Sequence, residues 1–194
     1  MADSLLLHPL VSLQDGEVQV ADQRFEMRMS KPLMQGLGIM ADKEGLTRAD
    51  VVRRALGLYA LALQAEDKGQ LIGFARVLAG SGPEVVELIK LRSTADASDP
   101  ADPGTVGEGS SPVGSPQQSQ PGYQRFEMRM SQQLLHGLDT MAEKEGIHRA
   151  DVVRRALGLY ALALRADAKG QCIAFAKLNK GNTVAVDHLI RLRP

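Results

Sequence analysis

The chain contains one segment twice. Residues 23–92 align with residues 124–193 at a constant offset of 101, without a gap, and 45 of the 70 positions are identical. Both copies carry Gln-Arg-Phe-Glu-Met-Arg-Met-Ser, at 23–30 and 124–131, and a longer identical block at Arg48–Leu63 and Arg149–Leu164. Architectures that stack repeats in a row need at least three units to bury a continuous core, so two copies point to pairing of one copy with the other.

The residues between the copies permit such pairing. Residues 93–122 are rich in Pro, Gly, Ser, Asp and Gln and almost lack large apolar side chains, so they read as a flexible linker. About 30 residues of such chain span on the order of 30 Å on average, and the tether holds the copies at an effective concentration in roughly the mM range. The expected organisation is an N-terminal arm at 1–22, a first unit at 23–92, the linker at 93–122 and a second unit at 123–194. Within the arm, Asp15-Gly16 between alternating apolar residues reads as a hairpin turn.

Each unit opens with period-two alternation. Phe25, Met27 and Met29 fall on one face of a strand, and Arg24, Glu26 and Arg28 on the other, as do their counterparts from Arg125 to Ser131. Ser30 can cap the following helix, and Pro32 is tolerated in a first turn. That helix, expected from Lys31 to about Glu44, places Leu33, Leu37, Met40 and Ala41 on one side and stops at Gly45. Thr47 can cap a second helix running to about Lys68, with Asp50 near its positive end. The apolar positions of this second helix, among them Val51, Val52, Ala55, Leu56, Leu58, Tyr59, Leu61, Ala62 and Leu63, extend around more than one face. One strand and one short helix cannot cover them, which requires the second copy as a partner.

The formal net charge is zero, but the charge is unevenly placed. Residues 23–93 carry 11 Lys/Arg against 8 Asp/Glu, and residues 124–194 carry 12 against 7, whereas the arm and linker hold only acids. Two basic modules are thus masked by acidic connectors. Cys172 is the only cysteine and the four histidines are scattered, so neither a disulfide framework nor a metal site is expected. No run of eighteen apolar residues and no basic leader with a cleavage site is present, so the expectation is a cytoplasmic, nucleoid-associated protein without membrane contact. No nucleophile-base set, supported carboxylate pair or phosphate-binding glycine loop occurs, and neither an enzyme nor a cofactor is expected.

The order of strand, helix, glycine turn and capped helix, with an over-hydrophobic second helix, resembles the ribbon-helix-helix family. The resemblance covers Arg24–Lys68 and Arg125–Lys169, and Gly-Leu-Thr-Arg-Ala-Asp-Val-Val-Arg-Arg-Ala-Leu is its most specific part. Family members are usually homodimers; here both halves share one chain, an arrangement similar to the relaxosome accessory proteins of conjugative plasmids. The implied fold is α+β and helix-rich, a tandem ribbon-helix-helix forming an intramolecular pseudo-dimer with small β-hairpin extensions.

What the resemblance implies for function is a two-stranded antiparallel ribbon that enters the major groove of double-stranded DNA. It assigns base reading to Arg24, Glu26, Arg28, Arg125, Glu127 and Arg129, and phosphate binding to Thr47, Arg48, His148 and Arg149 at the starts of the second helices. Because the reading residues are the same in both copies, the implied site is palindromic and contains G/C pairs. A ribbon centred on Glu26 would set Glu127 opposite it, a destabilising pair unless flanking arginines compensate. His148 replaces Thr47 in the second copy, so the two phosphate clamps should differ.

The remaining features have plainer readings. Arg53-Arg54 and Arg154-Arg155 read as a solvated helix edge, Tyr59 and Tyr160 as core residues with a polar tip, and Cys172, at the position of Leu71, as packing. After each second helix, Gln70 onward and Gln171 onward read as hairpins. These could extend the core, join chains together or dock a protein. The expected function is sequence-specific DNA binding as a transcriptional repressor; the alternative is a protein-interaction module, antitoxin-like or a scaffold, that keeps the fold without specific DNA binding.

Overall fold

A computed structural model describes residues 22–77, 82–89, 91, 122–178 and 184–192. Apart from Asp22 and Gly122, the N-terminal arm with its expected hairpin and the expected linker lie outside these residues. The protein is mixed α+β, with four helices and two small antiparallel sheets among the described residues. In chain order the first copy supplies β1 (Gln23–Ser30), α1 (Lys31–Glu44), α2 (Arg48–Asp67), β2 (Leu71–Val77) and β3 (Pro83–Ile89). The second supplies β4 (Tyr123–Met130), α3 (Gln132–Glu145), α4 (Arg149–Asp167), β5 (Gln171–Leu178) and β6 (Val184–Ile190).

Local chemistry sets the helix limits. The Ser30 and Ser131 hydroxyls accept hydrogen bonds from the backbone N–H groups of Leu33 and Leu134 at 3.4 and 3.2 Å, capping α1 and α3. Both helices end at a glycine with positive φ, Gly45 at 64° and Gly146 at 65°. The next residues, Leu46 and Ile147, donate back to the carbonyls of Ala41 and Ala142 at 2.9 and 3.0 Å, the turn that a left-handed glycine permits.

The strands join the two copies. β1 pairs with β4 antiparallel as a two-stranded sheet in which Glu26 lies opposite Glu127, Arg24 opposite Arg129 and Arg28 opposite Arg125. Exchanging the copies maps this register onto itself. The same holds for β2 and β5, where Gly73 lies opposite Ala174 and Phe74 opposite Ile173. The two expected hairpins do form, β2 with β3 and β5 with β6, but they fuse through β2 and β5 into one four-stranded sheet of order β3-β2-β5-β6. Of the roles open to them, extension of the core is therefore realised. Each hairpin carries an irregularity at the same place, between Phe74 and Ala75 and between Phe175 and Ala176.

A single core results. Phe25, Met27 and Met29 from β1, their counterparts from β4, the packed α2–α4 pair, and Ile72, Phe74, Ile173 and Phe175 all belong to one buried cluster. Fully burying each large side chain stabilises by about 1.5–3 kcal/mol relative to exposure, which is why an over-apolar α2 demands the second copy. Some positions depart from the expected apolar faces. In α1 the buried residues are Met34, Leu37 and Ala41, with Leu33 and Met40 only partly covered, and Leu61 of α2 remains exposed. Tyr59, Tyr160 and Cys172 are buried, in keeping with their packing roles.

Candidate nucleic-acid interface

The sequence-predicted reading residues come together on one surface. Alternation in β1 and β4 buries the Phe and Met side chains and leaves Arg24, Glu26, Arg28, Arg125, Glu127 and Arg129 exposed on the opposite face of the ribbon. The two central carboxylates face each other, yet each is met diagonally by an arginine of the other strand. Arg24 donates to Glu127 and Arg125 donates to Glu26, both at 2.5 Å. These exposed pairs add little stability by themselves. Their effect is to offset the repulsion between the two acids and to orient two guanidinium groups. Arg28 and Arg129 make no side-chain hydrogen bond or ion pair among the described residues. Each end of the face therefore presents one arginine held by a carboxylate and one that is uncommitted.

The helix starts lie beside the ribbon ends, and the residues that fasten them there are ones the sequence reading assigned to solvent. Arg53 donates to the backbone carbonyl of Arg129 at 2.8 Å, and Arg154 to that of Arg28 at 3.2 Å. Each bond runs from a helix of one copy to a strand of the other. Asp50 and Asp151 brace these arginines at 2.7 Å. The second arginine of each pair is also engaged. Arg155 and Tyr59 converge on Glu145, at 2.6 Å for the arginine and 2.7 and 2.9 Å for the phenol. Arg54 and Tyr160 meet Glu44 more loosely, at 3.5 and 3.4 Å. Burial, then the Glu145 carboxylate, pushes the Tyr59 phenol well above its usual range; burial also raises Tyr160. The expectation of a solvated edge holds for Arg53 and Arg54, 42% and 51% exposed while making these contacts, and is corrected for Arg154 and Arg155, which are largely covered. The signal that could have found these contacts is an arginine pair at the edge of a helix whose other faces are apolar, one turn from an acid on the same helix and beside the carbonyls of a packed strand.

The four residues expected at the helix starts divide unequally. Thr47 caps α2: its hydroxyl oxygen accepts from the Asp50 N–H at 3.1 Å, and its O–H donates to the Asp50 carboxylate at 2.6 Å. That hydroxyl is the main reason the Asp50 carboxyl lies below the usual carboxylate range. His148 starts α4 without a side-chain cap bond. Among the described residues Arg48 makes a 3.9 Å contact with the Met34 sulfur, whereas Arg149 is ion-paired with Asp139. Gly38 occupies the position equivalent to Asp139, so the first copy has no carboxylate there. Both helix starts retain first-turn N–H groups without an intrahelical acceptor, the feature that suits an anionic oxygen.

Among the described residues no group of three His, Cys, Asp or Glu side chains could hold a metal ion, and no helix is long and apolar enough to cross a membrane. Set against models of known families, curated proteins and solved structures, the chain matches none significantly.

Proposed function

We propose that the chain is a tandem ribbon-helix-helix protein whose copies act as the two halves of a dimer and read a palindromic site in double-stranded DNA, as a repressor does by occupying an operator. The observation that carries this reading is the β1–β4 ribbon: two antiparallel strands with a register that maps onto itself, apolar side chains inward and six charged side chains outward. A ribbon of this width fits the major groove. Arg28 and Arg129, free of ion pairs, are suited to guanine O6 and N7. They lie four residues apart along the strand direction, about 13 Å, which corresponds to roughly four base-pair steps at about 3.4 Å each. Arg24 and Arg125, oriented by the glutamates, flank them. The starts of α2 and α4, fixed to the ribbon ends by Arg53 and Arg154, supply phosphate contacts that set the register.

The test is selection from a random double-stranded DNA pool at two salt concentrations, with the full chain beside Arg28→Ala/Arg129→Ala. The expected result is a palindrome enriched by the wild type and lost in the double variant. Each lost bidentate contact costs about 1–3 kcal/mol of discrimination, so the pair should weaken specific binding by roughly 30-fold or more. Affinity should also fall steeply with salt as counterions are released. Absence of enrichment from a chain with intact circular dichroism would overturn the reading and favour a ribbon that binds protein.

A further inference from the structure

We infer that Tyr123 reads a thymine methyl group just beyond one end of the palindromic core and so gives the DNA site a direction, an inference that rests on the proposed reading of DNA by the ribbon. Period-two alternation places Tyr123 on the face of Arg125, Glu127 and Arg129, away from the buried Phe126, Met128 and Met130. It pairs with Ser30 at the outer end of the β1–β4 ladder. Gly122 before it takes φ 123°, in the region that favours glycine, and its carbonyl accepts from the Lys31 N–H at 3.0 Å. The backbone of Tyr123 is thus held on both sides, and the residue is only partly covered.

Two contrasts single this residue out. Of the three tyrosines in the chain, Tyr59 and Tyr160 are equivalent in the repeat, buried, and hydrogen-bonded to Glu145 and Glu44. Tyr123 has no counterpart in the first copy, and its phenol has no hydrogen-bond partner among the described residues. At the repeat offset its equivalent is Asp22, an exposed acid. The outward residues of the ribbon are thus the same in both copies until the next position outward, which is an aromatic ring at one end and a carboxylate at the other. The serines beside these positions do not make up the difference, since Ser30 and Ser131 both cap helices.

The ribbon geometry puts the ring in line with the reading residues. Arg24 meets Glu127 and Arg125 meets Glu26 along one diagonal of the register, and the same step leads from Arg28 to Tyr123. Tyr123 stands two residues beyond Arg125, about 7 Å along the strand, or roughly two base-pair steps at about 3.4 Å each. In the major groove the thymine C5-methyl is the apolar group that a base pair presents, and an uncharged aromatic ring suits it. Asp22 offers a methyl group no apolar surface and shares the sign of the phosphates. The core of the site stays palindromic, because the six inner reading residues are the same in both copies. The end that carries Tyr123 is the one where Arg154 fastens α4 and Asp139 holds Arg149, so the added base contact falls where the phosphate clamp is already occupied.

The test is selection of duplexes by the full chain from a random pool, followed by binding to one selected duplex in which uracil replaces the flanking thymine and so removes the methyl group alone. The expected result is a palindromic core with thymine enriched about two steps beyond one end only. Uracil should weaken wild-type binding about four-fold, the effect of losing one buried methyl group, and leave the binding of Tyr123→Ala unchanged. Asp22→Tyr, at an exposed position, should enrich thymine at both ends. Should Tyr123→Ala not fold, Asp22→Tyr and the uracil comparison on the wild type decide. A flank preference that Tyr123→Ala retains overturns the inference, as does wild-type binding indifferent to uracil. A palindrome with equivalent flanks overturns it while the proposed function stands; no palindrome at all overturns both.

Discussion

At the start of α2, Thr47 caps the helix and the Arg48 guanidinium lies beside Gly38; at the start of α4, His148 leaves the cap unmade and Arg149 is paired with Asp139. On the ribbon, by contrast, the six outward residues and their diagonal ion pairs are the same in both copies. A homodimer cannot arrange this, because every substitution appears twice. With both halves in one chain, the strands can keep a symmetric face while the helix starts diverge. The proposed consequence is symmetric base reading with an uneven grip on the phosphates, stronger on the side of Arg48.

The largest test of this difference between copies lies in the sheet. Gly73 and Ala174 are equivalent and share the same register, yet a Cβ on Gly73 would lie 2.2 Å from the Glu87 carbonyl oxygen. The backbone of β3 would have to move, and Gly73→Ala should cost about 2–3 kcal/mol, the upper range for overpacking. Ala174→Gly should cost about 0.5–1 kcal/mol. Equal losses in denaturant titrations would mean that the hairpins do not differ in approach.

Next in size are the two tyrosine locks. Tyr59 donates to a carboxylate that is itself ion-paired at short range, while the equivalent contacts at Tyr160 are 0.7 Å longer or more weakly placed than the 2.7 Å Tyr59 bond, at 3.4 Å. Tyr59→Phe should cost about 1.5–2 kcal/mol, as for a hydrogen bond to a charged group, and Tyr160→Phe less than half of that. Because the folded protein raises the Tyr59 phenol above its unfolded value, its contribution is fully present below about pH 10 and is lost as pH rises further. Stability measured against alkaline pH should therefore fall more gently in Tyr59→Phe than in the wild type.

Helix capping comes third. Thr47→Ala should destabilise by about 1 kcal/mol, and His148→Thr should stabilise by up to about the same amount, read as shifts in the unfolding midpoint. If His148→Thr is neutral, the uncapped start of α4 is not a weak point. Since Asp50 is held below its ordinary range by Thr47, the contribution of the cap is present above about pH 4 and declines as pH falls further.

The smallest effect bears directly on the clamps. Asp139→Gly should release Arg149 and tighten DNA binding by roughly threefold, in the range of an exposed ion pair, and Gly38→Asp should capture Arg48 and weaken binding by a similar factor. Footprinting would show the wild-type asymmetry between half-sites removed by the first substitution. A symmetric wild-type footprint would rule out the uneven grip.

The sequence by itself determined much of this architecture. The 101-residue offset, the alternation from Arg24 to Ser30, the glycine stops at 45 and 146 and the Thr47 cap depend on neighbours a few residues away, and those forces act wherever the chain goes. It also located the outward faces of β1 and β4 and anticipated that flanking arginines must offset Glu26 and Glu127. It did not reveal that two hairpins merge through β2 and β5, or that Arg53, Arg154, Tyr59 and Tyr160 fasten one copy to the other. Nor did it indicate that Asp139 occupies one clamp arginine. Those outcomes depend on partners up to 126 residues away, or on which of several nearby acids an arginine meets. Hydrophobic periodicity states that a face must be buried, but not against what, and a charged side chain takes the nearest opposite charge or carbonyl that packing brings within reach. Only the tertiary structure decides that choice.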